Sequence, residues 1–547
     1  MDAAVAPLIE ATTLGDLLLR AARRWPSRNA LLFADERLGY EALARRACLR
    51  ARALIALGVQ PGDHVGILSL NLPEVVETMF ACALSGAVAV MLNARYRAEE
   101  LRYVLAHADL VLLFTSTRFA PHSDFPALLR DALPGLATGE GAAPGGSTHG
   151  IRAVIGLERG DGSGLLCGER FLERAAEVSA DRLAQRRSQV ALRDPCIMMY
   201  TSGTTAEPKG CRLSHEAVVR SALGMSRRLG IRDDDVMWNA LPMFHMAAIL
   251  PLLAMVWAGG SFVSDTHFDS GRALQDIRAH GATILYPAFP AIMAALLAHP
   301  DCDQLRLAPV RLVSNVAPPE TLRANMRALP HALHVSAYGM TEASGISCHG
   351  GADEDDETRA TACGRPYEGV QMRVVDPASG RELGPGERGE MRIRGFSLFE
   401  GYYKDPARTA ECFDDAGWFR TGDLCSIGAG GQVCYHGRLK DVMKIGGENV
   451  SPLELESFLA THPAVQLAQV VGVPDARLQE VAAAFVQLRP GASMTAAELI
   501  DFCRGRIASF KVPRHVRFVT EWPMSATKIQ RHVLRQRLQE ELVGPGG

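Results

Sequence analysis

Residues 200–210 read Tyr200-Thr-Ser-Gly-Thr-Thr-Ala-Glu-Pro-Lys-Gly210, a run of small, hydroxylated and cationic residues. The apolar segment Cys196-Ile-Met-Met199 precedes it, and a helix is predicted after Ser214. Small residues let backbone amides approach an anion, hydroxyls add donors, and Lys209 adds positive charge. The spacing is not that of a Walker A motif. The run predicts a phosphate-binding loop, and an ordinary polar loop is the alternative.

Outward from this loop, helix-like and strand-like segments alternate through most of the chain. This alternation predicts an α/β fold in which helices cover largely parallel sheets. Residues 14–21 place four apolar side chains on one helical face after Thr13, and residues 64–70 read as a buried strand. From Gly369 to Gly395, short β-type runs between Gly and Pro predict a small β-barrel or antiparallel sheet.

The pattern changes again after residue 437, where a helix, a strand and a terminal basic helix follow one another. We therefore predict two domains, a large layered α/β domain over residues 1–437 and a small α+β domain over residues 438–547. The Gly-, Ala- and Ser-rich stretch 134–164, interrupted only by the short apolar piece 151–157, is interpreted as an insertion or a mobile surface loop without a chemical role.

Charge and composition narrow the classes of function. The 58 basic and 61 acidic residues nearly balance, and no long Lys/Arg block is present, which argues against nucleic-acid or anionic-membrane partners. Two long apolar stretches, 79–92 and 246–258, are too short to span a bilayer. Small-molecule chemistry without a transmembrane segment is favoured, and a homodimer stays open.

The twelve cysteines form no C-x-x-C pair and no zinc-binding pattern, so we interpret them as reduced thiols. The first residues lack the basic and apolar regions of a secretory signal. Both observations favour a cytoplasmic protein.

Six further motifs follow in order along the chain. They are Leu241-Pro-Met-Phe-His245, Tyr338-Gly-Met-Thr-Glu342, Gly364-Arg-Pro366, Trp418-Phe-Arg-Thr-Gly-Asp423, Gly437-Arg-Leu-Lys-Asp441 and Lys444-Ile-Gly-Gly-Glu-Asn449. With the loop at 200–210 they resemble the adenylate-forming superfamily of acyl-CoA synthetases, firefly-type luciferases and peptide-synthetase adenylation domains. The resemblance extends to Arg537. It implies an ATP-dependent acid:CoA ligase that forms acyl-AMP and pyrophosphate, then acyl-CoA and AMP.

The resemblance implies nucleotide-binding roles for residues from several motifs. They are Thr201, Ser202, Gly203, Thr204, Thr205, Lys209, Val316, Ala317, Pro318, Tyr338, Gly339, Met340, Thr341, Asp423, Arg438 and Lys528. The Tyr338 ring would stack beside adenine, with residues 316–318 on the other side. Asp423 suits the ribose hydroxyls, and Arg438 can donate to the sugar or a phosphate. Without the other motifs, a surface salt bridge would be enough to explain Asp423 or Arg438.

Magnesium is the expected cofactor, with Glu342 as its ligand and Thr201 as a second ligand. An isolated Glu in a loop is otherwise usually solvated. The acidic run 353–357 is expected to be a solvated loop, because consecutive carboxylates repel one another and cannot all face one ion.

The acyl pocket is expected at His245, Met246 and Asn315. A lone His among apolar residues is more often a packed core residue, and the resemblance implies binding rather than acid–base chemistry for His245. The small or unbranched residues near the pocket mouth favour an extended or bulky apolar carboxylic acid over acetate.

Coenzyme A is the expected acceptor because the Lys444, Gly446, Gly447 and Glu448 segment resembles the form found in CoA ligases. The two glycines would let the pantetheine arm pass close to the backbone. No Gly-Gly-x-Ser carrier attachment site is present. Two alternatives stay open: an acyl-AMP ligase that passes the acyl group to a carrier protein, and an ATP- and acid-binding protein that has lost catalysis.

Lys528, together with Thr201 and Glu342, completes the expected catalytic set, since its ammonium would neutralise charge on the α-phosphate. The common family pattern has a Gly before this lysine, whereas Thr527 precedes it here. If the shortened loop points Lys528 away from the α-phosphate, the alternative catalytic lysine is Lys511 or Lys444. Lys440 is the expected hinge about which the small domain swings, and an exposed loop lysine is the alternative.

Overall fold

The computed structural model describes residues 12–33, 36–119, 123–133, 150–158, 166–201, 207–303, 309–475, 477–525 and 528–543. Its first helix, Leu14–Arg24, begins where the sequence predicts. The Thr13 hydroxyl accepts a hydrogen bond from the Asp16 amide at 3.2 Å, which satisfies one of the free donors at the helix start. The predicted apolar face is fully buried, so this prediction is confirmed.

Six strands form the first large sheet. In spatial order they are Ala153–Gly156, Leu110–Thr115, His64–Leu68, Val88–Leu92, Pro195–Thr201 and Lys209–Ser214. All neighbours are parallel except the last pair, which is antiparallel. The two central strands are buried at every residue because helices cover both faces, and this explains their nearly continuous apolar sequences.

Seven strands form the second large sheet. In spatial order they are Leu333–Val335, Leu312–Asn315, Ile284–Ala288, Val236–Asn239, Ser261–Val263, Asn29–Phe33 and Glu36–Gly39. Here too only the last pair is antiparallel. The carboxyl ends of its parallel strands therefore share one edge, which is the usual location of ligand sites in such sheets.

An inner layer of helices packs between the two large sheets, and one apolar core joins all three layers. Its main helices are Leu14–Arg24, Tyr40–Ala56, Pro73–Ser85, His215–Arg228 and Met246–Ala258. Two shorter helices, Gly168–Glu173 and Ala180–Ser188, pack at its border. The last main helix is apolar on all sides because it is buried almost throughout.

Further helices cover the outer faces of the large sheets. Ala98–His107 and Phe125–Ala132 pack on the first sheet, and Ser270–Ala279 and Pro290–Ala298 pack on the second. Pro319–Ala328, Asp356–Thr361 and Pro406–Glu411 are the other α-helices that the structure describes before residue 437. The layered α/β arrangement predicted from the sequence is confirmed.

Two antiparallel sheets follow the layered part. The first joins Ala337–Tyr338, Cys348–His349 and Arg365–Pro366, and the second joins Val370–Val375, Gly389–Gly395, Phe419–Ile427 and Val433–Arg438. Of the two architectures predicted near residues 369–395, the described pairings give the antiparallel sheet.

The C-terminal part has its own sheet and cores. The sheet contains Glu448–Val450, Met443–Ile445, Gln479–Leu488, Val465–Asp475 and His515–Phe518. Helices Pro452–Leu459 and Ala496–Cys503 pack on one face, and Arg531–Val543 packs on the other. The short pair Met524–Ser525 and Lys528–Ile529 lies before the last helix.

The described part of the stretch 134–164 is not a loop insertion but includes a strand. Residues 134–149 and 159–164 lie outside the described residues, but Ala153–Gly156 is the edge strand of the first sheet, parallel to Leu110–Thr115. The interpretation of an insertion is wrong for this piece, because its apolar side chains pack into both neighbouring cores.

Four of the five residues of the acidic run, all but Glu354, are exposed, so the prediction of a solvated segment holds for them, although Asp356 and Glu357 lie in a helix rather than a loop. The Asp355 carboxylate caps helix Asp356–Thr361. Glu354 is buried and pairs with Arg228 at 2.9 Å, and Asp353 pairs with the same guanidinium at 2.7 Å. Repulsion among these carboxylates is relieved by arginines from distant segments, which sequence spacing does not reveal.

No helix among the described residues is both long and apolar enough to cross a bilayer. The apolar helix Met246–Ala258 has 13 residues and contains Pro251.

Gly364 provides a test of the antiparallel region. Its φ is +85°, and a Cβ there would lie 1.9 Å from the His349 carbonyl. We expect Gly364→Ala to destabilise the protein by about 3 kcal/mol, because backbone strain and a clash with main chain add together. Gly380→Ala is the matched control, since its φ is +72° but no atom lies within 4 Å of the added Cβ. It should cost about 1 kcal/mol. Thermal unfolding of both variants measures the difference, and equal shifts would contradict the clash.

Candidate functional site

The two ends of the predicted phosphate loop are fixed by the antiparallel edge pair of the first sheet. Thr201 ends strand Pro195–Thr201, and Lys209 lies directly opposite it at the start of Lys209–Ser214. Ser202, Gly203, Thr204 and Thr205 lie outside the described residues. The Lys209 ammonium lies 5.1 Å from the centre of the Tyr402 ring.

Three of the predicted nucleotide-binding residues contact one another through the buried carboxylate of Asp423. The Tyr338 hydroxyl donates to Asp423 Oδ2 at 2.7 Å, and Arg438 Nε lies 2.8 Å from Asp423 Oδ1. Asp423 is 2% exposed, whereas the Arg438 side chain is 41% exposed. Burial, and then the Asp423 charge, raise the pKa of Tyr338, so its phenol stays protonated and donates. A ribose at Asp423 would therefore share the carboxylate with Tyr338 and Arg438.

The predicted adenine-flanking segment follows the end of strand Leu312–Asn315. The Val316 amide donates to the Ala288 carbonyl at 2.8 Å, and Val316 is 42% exposed, which is unusual for a large apolar side chain in this fold. Ala317 and Pro318 are partly buried. Ala288 has a φ of +56°, a strained value for a residue with a Cβ, and strain of this kind concentrates at functional sites.

The segment from Gly339 to Glu342 turns tightly beside Tyr338. A Cβ on Gly339 would lie 1.9 Å from the Gly345 carbonyl oxygen, so only glycine fits. Residues Thr341–Ala343 form one 3₁₀ turn, and the Met340 carbonyl accepts from the Ala343 amide at 3.0 Å. This turn presents Glu342 with its main chain fixed, since the Phe399 amide donates to the Glu342 carbonyl at 2.9 Å.

The Glu342 carboxylate is held by a residue that the sequence reasoning missed. Tyr402 donates its hydroxyl to Glu342 Oε1 at 2.8 Å, which leaves Oε2 for another partner. The sequence shows only that a glycine, Gly401, precedes Tyr402. In the structure this glycine has a φ of +113°. The pairing itself joins residues sixty positions apart and is not readable from spacing.

The donor set fits Mg²⁺ that arrives with a nucleotide. One carboxylate and one hydroxyl, Glu342 and Thr201, are the predicted protein ligands, and Mg²⁺ commonly takes one or two carboxylates and completes its shell with substrate phosphates and water. Among the described residues, no group of three or more His, Cys, Asp or Glu side chains could hold a metal ion alone.

The predicted acyl-pocket residues lie at the start of the buried helix and at a strand end. His245 precedes helix Met246–Ala258, and its ring packs on Phe244 with centroids 4.8 Å apart. The Asn239 amide donates to the Ala247 carbonyl at 3.3 Å and fixes the first turn. Asn315 is 1% exposed, and neither of its amide atoms has a hydrogen-bond partner within the described protein.

The predicted coenzyme A segment forms a β-hairpin. Strands Met443–Ile445 and Glu448–Val450 pair, and Gly446 and Gly447 connect them with φ values of +61° and +91°. Two consecutive positive φ values characterise the tight type I′ hairpin turn and require glycine-like residues. The turn alone therefore explains the glycine pair. Lys444 and Glu448 are exposed on this hairpin.

Lys440 lies at the junction with the C-terminal part, and Lys528 lies just before the last helix. Lys440 is exposed in the 3₁₀ turn Leu439–Asp441, which joins the four-stranded sheet to the C-terminal sheet. Lys528 begins the short strand that pairs with Met524–Ser525, and residues 526 and 527 lie outside the described residues. Arg531, in the same motif, contacts buried Glu456 at 2.7 Å and Asp441 at 3.5 Å.

Two family profiles match the chain. That of the AMP-binding enzyme covers residues 18–403, and that of the AMP-binding enzyme C-terminal domain covers residues 454–528. A putative acyl-CoA synthetase, YngI of Bacillus subtilis, is 33% identical over 97% of both chains. A mitochondrial medium-chain acyl-CoA ligase, ACSF2 of Danio rerio, is 30% identical over 98% of this chain and 89% of its own length.

Further similarity comes from a Mycobacterium tuberculosis ligase and from solved structures. The 3-[(3aS,4S,7aS)-7a-methyl-1,5-dioxo-octahydro-1H-inden-4-yl]propanoyl:CoA ligase is 34% identical over 96% of this chain and 98% of its own. The anthranilate CoA ligase AuaEII, solved with anthranoyl-AMP, superposes with a TM-score of 0.85 at 27% identity over 98% of both chains. The chain therefore belongs to the AMP-binding enzyme family, in its acyl-CoA synthetase branch, and is an AMP-forming acid:CoA ligase.

Proposed function

We propose that the enzyme activates an apolar carboxylic acid, bulkier than acetate, with MgATP and transfers the acyl group to coenzyme A at the same site. The observation that carries this proposal is that Tyr338 and Arg438 both contact the buried carboxylate of Asp423. These residues come from three separate motifs. Their contacts provide a buried polar anchor suited to the hydroxyls of an adenosine, and the exposed Val316 offers an apolar surface suited to its base.

In the proposed adenylation step, an acid oxygen attacks the α-phosphorus and pyrophosphate leaves. Lys209 and the loop at 201–205 would hold the leaving phosphates, and Lys528 would neutralise charge on the α-phosphate. Bound Mg²⁺ would stabilise the charge that develops on the phosphate oxygens. Glu342, whose Oε1 is already fixed by Tyr402, would face the ion with Oε2.

In the proposed second step, the thiol of coenzyme A attacks the acyl carbonyl and AMP leaves. We infer that the hairpin at 444–448 reaches the site after the small domain turns about Lys440. The open space around Gly447 supports this role, since no atom lies within 4 Å of a Cβ built there.

The class of acid is inferred from the residues at the predicted pocket. Helix Met246–Ala258 is apolar from its first turn, and Val316 leaves an exposed apolar surface at the mouth. Relatives act on medium-chain, bicyclic and aromatic acids, as their names state. Such pockets gain binding energy from apolar contact, which acetate cannot supply.

The proposal includes a cytoplasmic location. All twelve cysteines are free thiols and none is exposed, which suits a reducing compartment.

A panel of acids tests the proposed function directly. With MgATP, we expect pyrophosphate release that depends on the acid, and AMP formation that depends on coenzyme A. Acetate should be a poor substrate, and medium-chain or ring-bearing acids should be good ones. Release of pyrophosphate without coenzyme A-dependent AMP formation would point to a carrier-protein acceptor, and no release with any acid would point to a binding protein.

Asp423→Ala tests the nucleotide anchor. The substitution removes the partner of both Tyr338 and Arg438, so we expect the KM for ATP to rise about tenfold to a hundredfold, the range for hydrogen bonds to charged groups. Tyr338→Phe is the milder comparison, because it keeps the ring and loses only the hydroxyl. Thermal melts verify folding. An unchanged KM for ATP in a folded Asp423→Ala protein would remove this carboxylate from the site.

Lys528→Ala and Gly447→Leu test the two steps separately. We expect Lys528→Ala to slow acyl-AMP formation by about a hundredfold to a thousandfold, as for loss of one preorganised donor. Its rate with supplied acyl-AMP and coenzyme A should stay near that of the wild type. Unchanged pyrophosphate release would instead direct attention to Lys511, which pairs with Glu454, or to exposed Lys444.

Gly447→Leu should show the reverse pattern, with acyl-AMP formation retained and thioester formation lost. Gly447→Ala controls for backbone strain, because it imposes the same positive φ without filling the space beyond Cβ. If the alanine variant loses thioester formation as fully as the leucine variant, the glycine serves only the hairpin turn.

A further inference from the structure

Tyr402 lies between two oppositely charged residues of the proposed site. Its hydroxyl donates to Glu342 Oε1 at 2.8 Å, and its ring faces the Lys209 ammonium at 5.1 Å from the ring centre. Tyr402 is 7% exposed, so both contacts are shielded from bulk water.

The main chain around Tyr402 is fixed to both neighbours. The Tyr403 amide donates to the Gly210 carbonyl at 2.7 Å, and Tyr402 pairs with Cys211 in an antiparallel bridge. At the other end of the segment, the Phe399 amide donates to the Glu342 carbonyl. Residues 399–403 thus join the strand that carries Lys209 to the turn that carries Glu342.

This placement has an electrostatic consequence. Among the described residues, neither Lys209 nor Glu342 forms an ion pair, although each contacts Tyr402. A direct pair between them would neutralise both charges and compete with a phosphate and a cation. A cation over an aromatic ring is held only weakly, so phosphate oxygens can take over the ammonium.

We propose that Tyr402 is a positioning residue for the metal-bound triphosphate. Its hydroxyl orients Glu342 so that Oε2 faces the ion, and its ring separates Lys209 from Glu342. The inference rests on the proposed roles of these two residues in binding MgATP. It assigns Tyr402 no contact with the reacting atoms.

Tyr402→Phe tests the hydroxyl alone, because the ring and its contact with Lys209 remain. Calorimetry of ATP binding without acid, at a series of Mg²⁺ concentrations, gives a readout apart from turnover. We expect the Mg²⁺ concentration at half-maximal binding to rise about tenfold, as for loss of a hydrogen bond to a charged group. With saturating Mg²⁺, kcat should stay within about twofold of the wild type.

Tyr402→Leu removes the ring as well, so Lys209 can approach Glu342. We expect its affinity for ATP at saturating Mg²⁺ to fall about tenfold further, which Tyr402→Phe should not show. The two variants therefore separate the role of the hydroxyl from that of the ring.

Tyr403→Phe is the matched control. Its hydroxyl also donates to a carboxylate, Asp109 Oδ2 at 2.8 Å, but outside the proposed site. It should leave the Mg²⁺ dependence unchanged. An unchanged Mg²⁺ midpoint in Tyr402→Phe overturns the proposal, and so does an equal shift in Tyr403→Phe, which would indicate general loosening of residues 399–403. Because the calorimetric test needs no acid, it still decides the role of Tyr402 if the acid panel fails.

Discussion

The antiparallel pairing of Pro195–Thr201 with Lys209–Ser214 is the constraint on which the rest of the site depends. It closes the parallel sheet at one edge and holds the two ends of the phosphate loop opposite each other. The same edge strand then pairs with residues 401–403, and that segment contacts the turn at Glu342. Without this edge, Lys209 and Glu342 would have no common support, because they come from different layers of the fold.

A second, buried contact extends the site to the junction with the C-terminal part. Asp423 accepts from Tyr338 and pairs with Arg438, and so connects the three-stranded sheet to the four-stranded one. Arg438 directly precedes the turn that holds Lys440. A carboxylate this buried is costly unless both oxygens are compensated, and these two partners compensate it. The proposed nucleotide anchor and the start of the proposed hinge therefore share one ion pair.

Several glycines show how local and tertiary requirements differ. Gly446 and Gly447 are explained by the hairpin turn that they form, so their presence is a local requirement whatever binds there. Gly339 and Gly364 are required instead by distant main chain, at Gly345 and His349 respectively. The motifs contain glycines of both kinds, and only the three-dimensional structure distinguishes a locally required glycine from one required by distant main chain. Strand 153–156 and the burial of Glu354 were not predicted, because their partners lie far away in sequence.

The sequence by itself determined the layered α/β class, the first helix with its Thr13 cap, and the family, because apolar periodicity, caps and ordered motifs are local signals. Through the resemblance it also predicted most residues of the candidate site. Only the tertiary structure decided that Tyr402 joins Lys209 to Glu342, and that Asp423 lies between Tyr338 and Arg438. The Tyr402–Glu342 and Tyr338–Asp423 contacts join residues 60 and 85 positions apart, and their geometry follows from how layers pack rather than from any neighbouring residue.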